Sequence, residues 1–292
     1  MKIWYKIASF NNKPWRHMFK QHTTACYTTG MASIVGGRQS QQDSYQMICL
    51  DQDGNRKILR ADHPVIMEDS SKTIIAALTD GVGGQVAGDI AALLAAETFT
   101  ESVEANLSSN LDVKTLMLDA VSDANLALDI AIKSNKDYAG MATTLVGVIL
   151  NDKGLNWLSV GDSHLYLVRN QELDKLNADH SMGAVIDHEY ATGKISHEEA
   201  LNAPYRNVIL SCLSGKEIEL IDIYDTNWEL KPGDKLILSS DGLDTLRRDE
   251  ILKIVMQQSD PQNCANALIQ AVENKQRDYQ DNTTIVVVNY NG

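Results

Sequence analysis

Apolar residues recur at helical spacing in four stretches of the chain. A short series consists of Val86, Ile90, Leu93 and Leu94. A longer series follows Asp112, which is suited to cap a helix, and comprises Val113, Leu116, Met117, Ala120, Val121, Ala124, Leu128 and Ala131. Two further helices are predicted at 249–257 and 261–275, the second with Asp260 as its cap and Pro261 in its first position. We expect the apolar faces of the first two helices to pack against a sheet.

Short apolar runs between turn residues predict the strands, which are 27–35, 45–50, 73–78, 144–150, 155–160, 165–169, 218–224, 235–238 and 285–289. We expect 27–35 and 45–50 to form a hairpin across Gly36-Gly37. The three strands between 144 and 169 are expected to form an antiparallel meander, because their connections are too short for parallel crossovers. Residues 51–72 are predicted to be a hairpin or loop, and 179–216 a surface excursion with one short helix starting at Ser196.

Four aspartates stand at strand ends or in short turns, namely Asp43, Asp80, Asp241 and Asp281. Asp80 begins the run Asp-Gly-Val-Gly-Gly, where a carboxylate and an exposed carbonyl suit a hard cation such as magnesium, calcium or manganese. Taken singly, each aspartate is better explained as a turn or cap residue. If they converge, each like-charged pair ~4 Å apart costs about 4 kcal/mol at an effective dielectric near 20, so cations are required. Arg38 is either half of a surface ion pair with Asp43 or an anion receptor beside a metal ligand.

Composition narrows the class of protein. A chain of 292 residues with 43% hydrophobic content can bury a large core, and its formal charge of −13 argues against binding to nucleic acid or to an anionic membrane. The cysteines, Cys26, Cys49, Cys212 and Cys264, form no metal or redox motif and are expected to be reduced, which favours the cytoplasm. Residues 1–22 are basic and are interpreted as an appendage, and no 18-residue apolar stretch is present that would span a membrane.

Seven short segments occur in a fixed order: Gly37-Arg38 to Gln42-Asp43, Thr79 to Gly84, Gly140 to Thr144, Val160 to Ser163, Asp179 to Ser181, Ser239 to Gly242, and Asp281 to Thr284. As a set they resemble the metal-dependent protein serine/threonine phosphatases of type 2C, in their bacterial branch. The resemblance covers about residue 23 to the C-terminus and implies an α+β fold, a four-layer α-β-β-α sandwich of two antiparallel sheets flanked by helix pairs. It divides the chain into an extension, 1–22, and a phosphatase domain, 23–292, with a flap at about 183–215 beside the active site.

The resemblance also implies roles for individual residues. The ligands it implies for two Mn²⁺ or Mg²⁺ ions are Asp43, Asp80, Gly81, Asp241 and Asp281. Asp80 would bridge the ions, the Gly81 carbonyl would help to hold one, and Asp43 would act mostly through bound water. Asp137 with Asp241 would hold a weaker third ion. Arg38 would bind the substrate phosphate, and a water bridging the ions would attack phosphorus in line. Asp80 and Arg38 are therefore the expected catalytic residues.

Some positions depart from the family pattern. Gln42 stands where glutamate is common, which removes a charge near the second ion but keeps an oxygen able to bond a metal-bound water. Val82 stands where animal members have a histidine proposed as the leaving-group acid. Ala142 and Gln41 stand where the family usually has glycine and asparagine, and both changes are interpreted as structural. His180 is expected to brace a turn, and His164, where the family often has arginine, to face solvent or substrate.

Two functions from different classes follow from the resemblance. The first is an active phosphatase for phosphoserine and phosphothreonine that opposes a serine/threonine kinase in the cytoplasm, and it is expected to be a monomer. The second is a pseudophosphatase that binds phosphoproteins with little or no turnover, for which Gln42 is the supporting feature. A third variant keeps the chemistry and changes the substrate to a sigma-factor antagonist or a small phosphate ester. The flap and residues 1–22 would decide the substrate.

Overall fold

The computed structural model describes residues 26–60, 71–82 and 87–292, which form two antiparallel sheets packed face to face. Strands are numbered along the chain. The first sheet contains β1 (Tyr27–Ile34), β8 (His164–Arg169), β9 (Glu172–Lys175), β11 (Lys235–Ser239) and β12 (Thr283–Tyr290), in the order β1-β12-β11-β8-β9. The second contains β2 (Asp43–Leu50), β3 (Arg56–Arg60), β4 (Thr73–Val82), β6 (Leu145–Asn151), β7 (Gly154–Val160) and β10 (Asp222–Trp228), in the order β10-β7-β6-β4-β2-β3. The short β5 (Ala142–Thr143) pairs with β4.

Helices cover the outer face of each sheet. They are α1 (Gly88–Asn106), α2 (Val113–Ser134), α3 (Met182–Ala191), α4 (His197–Asn202), α5 (Arg248–Gln257) and α6 (Pro261–Glu273). The pair α1 and α2 packs on the second sheet, and the pair α5 and α6 packs on the first. The predicted caps are present, since Asp112 accepts a hydrogen bond from the Thr115 amide at 2.8 Å and Asp260 accepts one from the Asn263 amide at 2.7 Å.

Alternate residues of one strand belong to different cores. In β4, Ile74, Ala76 and Leu78 face the opposite sheet, whereas Ile75 and Ala77 face α1 and α2. The same alternation divides β12 between the inter-sheet core and the core under α6. Burial on both faces explains why these strands read as unbroken apolar runs in the sequence. The predicted four-layer sandwich is therefore confirmed.

The predicted hairpin between 27–35 and 45–50 is wrong. Strand β1 pairs with β12 in the first sheet, and β2 pairs with β3 and β4 in the second. The chain crosses between the sheets at Gly36-Gly37, where the Gly37 amide donates to the Gln280 carbonyl at 2.7 Å. A Cβ on Gly36, whose φ is +64°, would lie 2.6 Å from that same carbonyl oxygen. The two glycines thus allow the chain to cross from one sheet to the other and do not form a hairpin turn.

The predicted meander between 144 and 169 is correct only for its first two strands. Strands β6 and β7 form a hairpin in the second sheet, but β8 pairs with β9 and β11 in the first. The crossing lies at Gly161, which has a φ of +103° and is bonded on both sides by His180. The Gly161 amide donates to His180 Nδ1 at 3.2 Å, and the His180 amide donates to the Gly161 carbonyl at 3.0 Å. His180 therefore braces this turn, as predicted.

The remaining expectations concern the periphery. Residues 51–60 form the predicted hairpin, because β3 pairs with β2. Helix α4 begins after Ser196 with the predicted capping box, in which Ser196 and Glu199 each bond the other's backbone amide. Helix α3 was not predicted. Residues 1–22 and the run Gly83-Gly84 to Val86 lie outside the described residues. Within the described part of the chain, no helix is long and apolar enough to cross a membrane.

Gly147 and Phe99 provide a test of the packing between helix and sheet. A Cβ on Gly147 would lie 2.3 Å from the ring of Phe99, which is fully buried on α1. Gly147→Ala is expected to lower the free energy of unfolding by about 1–3 kcal/mol, because the ring cannot move without disturbing the core. Urea unfolding measures this change.

Phe99→Leu provides the control in a double-mutant cycle. The single Phe99→Leu variant is destabilised by its lost contacts, but in the Gly147→Ala background it makes room for the new methyl group. The double variant should therefore be more stable than the sum of the single effects by about 1 kcal/mol. Strict additivity would contradict the proposed contact.

Candidate active site

The four aspartates singled out in the sequence meet at one edge of the two sheets. Asp43 is the first residue of β2 and lies directly opposite Asp80 of β4 in the strand register. Asp241 begins a 3-10 turn, 241–245, that follows β11, and Asp281 stands two residues before β12. Asp80, Asp241 and Asp281 line a cavity of about 420 Å³, which we call the acid cavity. Asp43 is 5% exposed and contributes to the charge around this cavity from within the protein.

Backbone contacts fix Asp80 and Gly81 at the end of β4. The Asp80 amide donates to Thr144 Oγ1 at 3.0 Å, and the Asp80 carbonyl accepts from the Thr144 amide at 2.9 Å. The Gly81 amide donates to the Gln42 carbonyl at 3.0 Å. A Cβ on Gly81 would lie 2.3 Å from the Gly88 carbonyl, at the start of α1. Position 81 therefore requires glycine, because helix and strand backbones touch there.

Burial and mutual repulsion hold the carboxyl groups against ionisation. Burial, followed by the charges of Asp43 and Asp241, raises the pKa of Asp80 well above its ordinary value. Burial raises the pKa of Asp43 to about 6, although Ser240 Oγ donates a hydrogen bond to its Oδ2 at 2.7 Å. Burial, with Asp162 as the largest charge, raises the pKa of Asp241 to about 7. Without cations, these groups compete with one another for protons.

The donor set fits a hard divalent cation. One carboxylate oxygen of Asp43 and one of Asp241 are buried without a hydrogen-bond partner in the described structure. All the candidate ligands are oxygens, which magnesium and manganese prefer over nitrogen and sulfur. The described side chains are not arranged to enclose an ion as they stand, since no group of three has that geometry and Asp281 is bonded to Arg38. The residues present thus suit a metal in chemistry and position.

Arg38 lies at the mouth of the acid cavity. Its Nη2 donates to Asp281 Oδ2 at 2.5 Å, and this hydrogen bond raises the pKa of the guanidinium. The sequence left open an ion pair between Arg38 and Asp43, but the partner is Asp281. About half of the Arg38 side chain remains exposed, so the guanidinium is accessible from the cavity. The predicted position beside the acids is correct, and its role in phosphate binding stays a prediction.

Gln42 and Val82 also line the acid cavity. The backbone amide of Gln42 donates to Asn282 Oδ1 at 2.8 Å. Its side chain lies beside Gly88, because a Cβ on Gly88 would be only 2.7 Å from Gln42 Nε2. The Gln42 side chain therefore lies close against the first residue of α1, and its backbone is bonded to the segment before β12. A bond from Gln42 to a metal-bound water stays a prediction.

Asp137 is not brought to the acid cavity. It is exposed in a 3-10 turn, 136–138, and lines a separate open cavity with Asp89 and Lys136. Its backbone amide donates to Asn135 Oδ1 at 3.0 Å. A third ion shared by Asp137 and Asp241 therefore stays a prediction, and the described geometry gives it no direct support.

Two residues near the site differ from the sequence-based expectation. His164 is 3% exposed and its Nε2 lies 2.9 Å from Oδ1 of Asp244, which lines the acid cavity. The expectation that His164 faces solvent or substrate is wrong, because β8 is covered on both faces. Asp162 was not assigned a role, yet its charge acts on both Asp80 and Asp241. It stands in a short turn after a strand, beside Gly161, which is the kind of position that singled out the other four aspartates.

The segment predicted as a flap reaches the acid cavity. Asn207 and Ile209, which follow α4, are among its lining residues. The segment is tied to the sheet-crossing turn, because the Leu210 amide donates to the His180 carbonyl at 2.7 Å. Residues of the segment 183–215 thus form part of the wall of the acid cavity.

Comparison with protein-family models matches residues 55–276 to Protein phosphatase 2C. The chain belongs to the protein phosphatase 2C family. It is 30% identical over 198 residues to the serine/threonine phosphatase stp of Listeria innocua, covering 66% of this chain and 77% of that protein. It is also 30% identical over 238 residues to the serine/threonine protein phosphatase PstP of Mycobacterium tuberculosis, covering 80% of this chain and 44% of that protein.

Solved structures of protein phosphatase 2C relatives agree with this assignment. The crystal structure of M. tuberculosis PstP/Ppp superposes with a TM-score of 0.70 at 26% identity, covering 91% of this chain and all of that one. The PstP catalytic domain in complex with two manganese ions gives a TM-score of 0.68 at 25% identity, covering 92% and 100%. The predicted family and fold are thereby confirmed.

The raised pKa values of the acid cavity make the stability of the metal-free protein depend on pH. Asp43 and Asp241 have pKa values of about 6 and about 7, against an ordinary value of 3.8. Between about pH 4 and pH 7 the folded state thus holds more protons than the unfolded chain, and the free energy of unfolding falls as pH rises. Asp241→Asn removes one of these groups. In the presence of a chelator the variant should be more stable than wild type at pH 8, by on the order of 2 kcal/mol.

Urea unfolding of both proteins between pH 5.5 and 8 measures this difference. The advantage of Asp241→Asn should shrink as pH falls toward 5.5. Burial lowers the pKa of His180, which gives a slope of the opposite sign below about 6.5, but this contribution is common to both proteins and cancels in the difference. A stability difference that does not change with pH would contradict the buried, ionising cluster.

Proposed function

We propose that the protein is a metal-dependent phosphatase for phosphoserine and phosphothreonine in proteins. The observation that carries this proposal is the convergence of Asp43, Asp80, Asp241 and Asp281 around one cavity with Arg38 at its mouth. The names of the relatives, which are serine/threonine phosphatases, support the substrate class. The manganese ions of the PstP catalytic domain support the cofactor.

The proposed ligands of two Mn²⁺ or Mg²⁺ ions are Asp80, the Gly81 carbonyl, Asp241, Asp281 and, through water, Asp43. Such ions lower the pKa of water, so that a nucleophile is available near neutral pH, and they neutralise charge on phosphoryl oxygens. Asp43 and Asp80 would lose their protons when cations bind, because the cations offset the burial and the mutual repulsion that now raise their pKa values. The presence of every aspartate favours the active enzyme over a pseudophosphatase.

Arg38 is proposed to bind the phosphoryl group of the substrate. A guanidinium matches two phosphate oxygens, and Arg38 stays charged at any relevant pH. In the described structure it is held beside the aspartates by Asp281. Transfer of Asp281 to a metal ion would release the guanidinium for the phosphate without moving it away from the cavity.

Gln280 is proposed to position two of the metal ligands. It is 7% exposed and lies between the segments that carry Asp241 and Asp281. Its Nε2 donates to the Gly242 carbonyl at 3.1 Å and to the Asp281 carbonyl at 3.2 Å. Its Oε1 accepts from Thr245 Oγ1 at 2.6 Å. One side-chain amide thus joins the 3-10 turn at 241–245 to the start of β12.

The wider proposals concern domain limits and partners. We propose that the phosphatase domain spans 23–292 with a flap at about 183–215, and that 1–22 is a separate basic extension. The proposed partners are phosphorylated proteins and the serine/threonine kinase that phosphorylates them. The proposed state is a monomer in the cytoplasm.

Metal-dependent hydrolysis tests the proposed function. With Mn²⁺ present, wild type should hydrolyse an aryl phosphate and a phosphothreonine peptide. Asp80→Asn should lower kcat on the order of 10³-fold, because it removes charge at the centre of the cluster. Arg38→Ala should raise KM about tenfold, the loss expected for a charge-assisted hydrogen bond.

Asp53→Asn is the matched control, since Asp53 is exposed in the β2–β3 turn, at the opposite end of β2 from Asp43. This variant should keep wild-type rates. Added Mn²⁺ should raise the Tm of wild type and of Asp53→Asn but not of Asp80→Asn. An inactive wild type whose Tm rises with Mn²⁺ would favour the pseudophosphatase.

Gln280→Met tests the positioning role, because methionine has a similar volume and no amide. Mn²⁺ affinity, measured by calorimetry on the folded protein, should fall about tenfold. Stability should also fall, since Thr245 and the Gly242 carbonyl lose a buried partner. A loss of stability with unchanged Mn²⁺ affinity would show that Gln280 only holds the fold together.

A further inference from the structure

Arg277 lies where two cavities adjoin. The acid cavity has a volume of about 420 Å³, and a neighbouring cavity of about 410 Å³ is lined by 34–37 together with Val272, Glu273 and Gln276. Arg277 and Gln280 line both. Arg277 belongs to the loop between α6 and β12, which also carries Asp281. Arg277 is therefore within reach of a peptide whose phosphorylated residue occupies the acid cavity and whose flanking residues extend toward the second cavity.

The guanidinium of Arg277 is free to bind a ligand. It is exposed, and within the described residues no hydrogen bond or ion pair engages it. The other arginine of the acid cavity, Arg38, is bonded to Asp281, and Asp244 is bonded to His164. Arg277 is thus the basic lining residue that the fold leaves without a partner. Because its guanidinium has no hydrogen bond or ion pair within the described residues, these contacts give no structural reason for arginine at this position.

The overall charge makes this arginine unusual. With a formal charge of −13, the protein repels acidic peptides over most of its surface. A free guanidinium beside the site is the local exception, and its planar fork suits a carboxylate. Among the described residues that line the second cavity, Glu273 is the one acid and Arg277 the one base, so a carboxylate is favoured only at the edge shared with the acid cavity. Tyr279, 93% exposed on the same loop, adds a ring against which a peptide can pack.

We propose that Arg277 selects substrates by binding a carboxylate side chain close to the phosphorylated residue. The substrate class is therefore phosphoproteins in which aspartate or glutamate flanks the phosphoserine or phosphothreonine. This inference rests on the proposed phosphatase activity. An extended peptide advances about 3.3 Å per residue, so a flanking position within three residues of the phosphorylated one spans the width of such a cavity. Arg277 acts as a specificity residue, separate from the group that binds the phosphate.

The test measures kcat/KM with Mn²⁺ for three families of phosphothreonine peptides. Each family carries a single aspartate, alanine or lysine, scanned over the three positions on either side of the phosphothreonine. The enzymes are wild type, Arg277→Lys, Arg277→Gln and Arg277→Glu. Lys253→Gln is the matched control, because Lys253 is exposed on α5, does not line the acid cavity, and its loss changes the net charge equally. An aryl phosphate, which has no flanking residues, is measured in parallel on wild type.

Wild type should prefer aspartate to lysine about fivefold at one flanking position, as expected for a half-exposed ion pair. The ratio should fall to about one in Arg277→Gln, reverse in Arg277→Glu, and persist in Arg277→Lys and Lys253→Gln. Added salt should weaken the preference.

Two results overturn the inference and leave the proposed function standing. One is a wild type that hydrolyses the aryl phosphate but all peptides equally well. The other is an Arg277→Gln variant that loses the same factor on every peptide, which would assign Arg277 to the phosphate itself. A wild type that hydrolyses neither peptides nor aryl phosphate with Mn²⁺ would instead remove the proposed function, and this inference with it.

Discussion

The structure depends on the burial of mutually repelling carboxyl groups at one edge of two sheets. Asp43 and Asp80 stand opposite each other in adjacent strands, where like charges are destabilising, and Asp241 and Asp281 approach from the other sheet. In the described structure, Arg38 is the one basic side chain bonded to any of these four aspartates. Its partner is Asp281, and it is bonded to neither Asp43 nor Asp80. Such a cluster persists because the strands that carry it are anchored by apolar cores on both faces.

The same edge is where the chain passes between the sheets. The crossings at Gly36-Gly37 and Gly161 place Arg38 and Asp162 beside the strand ends of both layers. Asn282 holds the first crossing, because its Nδ2 donates to the Val35 carbonyl at 2.7 Å and its Oδ1 accepts from the Gln42 amide at 2.8 Å. A polar residue next to a proposed ligand thus fixes the loop that carries Arg38. The contacts that hold the crossing between the two sheets therefore also position residues of the site.

Much of this was readable from the sequence, and the failures have a common cause. Apolar periodicity located α1, α2, α5, α6 and most strands, and aspartates at strand ends and in short turns located the site, since both signals are local. The partners of β1 and β8 were wrong because an apolar run shows that a strand is buried and does not show which strand lies beside it. Gln280 was missed for the same reason. Its four bonds join segments about 40 residues apart, and no spacing pattern marks a residue that is satisfied only by tertiary contacts.

Within the described residues, the buried carboxyl groups that lack a basic partner lie in or beside the site, which is where the rule that buried charges are paired fails. Elsewhere Asp234 is 3% exposed but accepts two hydrogen bonds from Arg169, and Asp179 accepts one from Lys175. In the acid cavity, raised pKa values replace such pairing. A sequence selected for stability alone would have neutral residues in place of these aspartates. Their retention is explained by a ligand that supplies positive charge from outside the chain. The attraction between this ligand and the carboxylates would both bind the ligand and stabilise the folded protein.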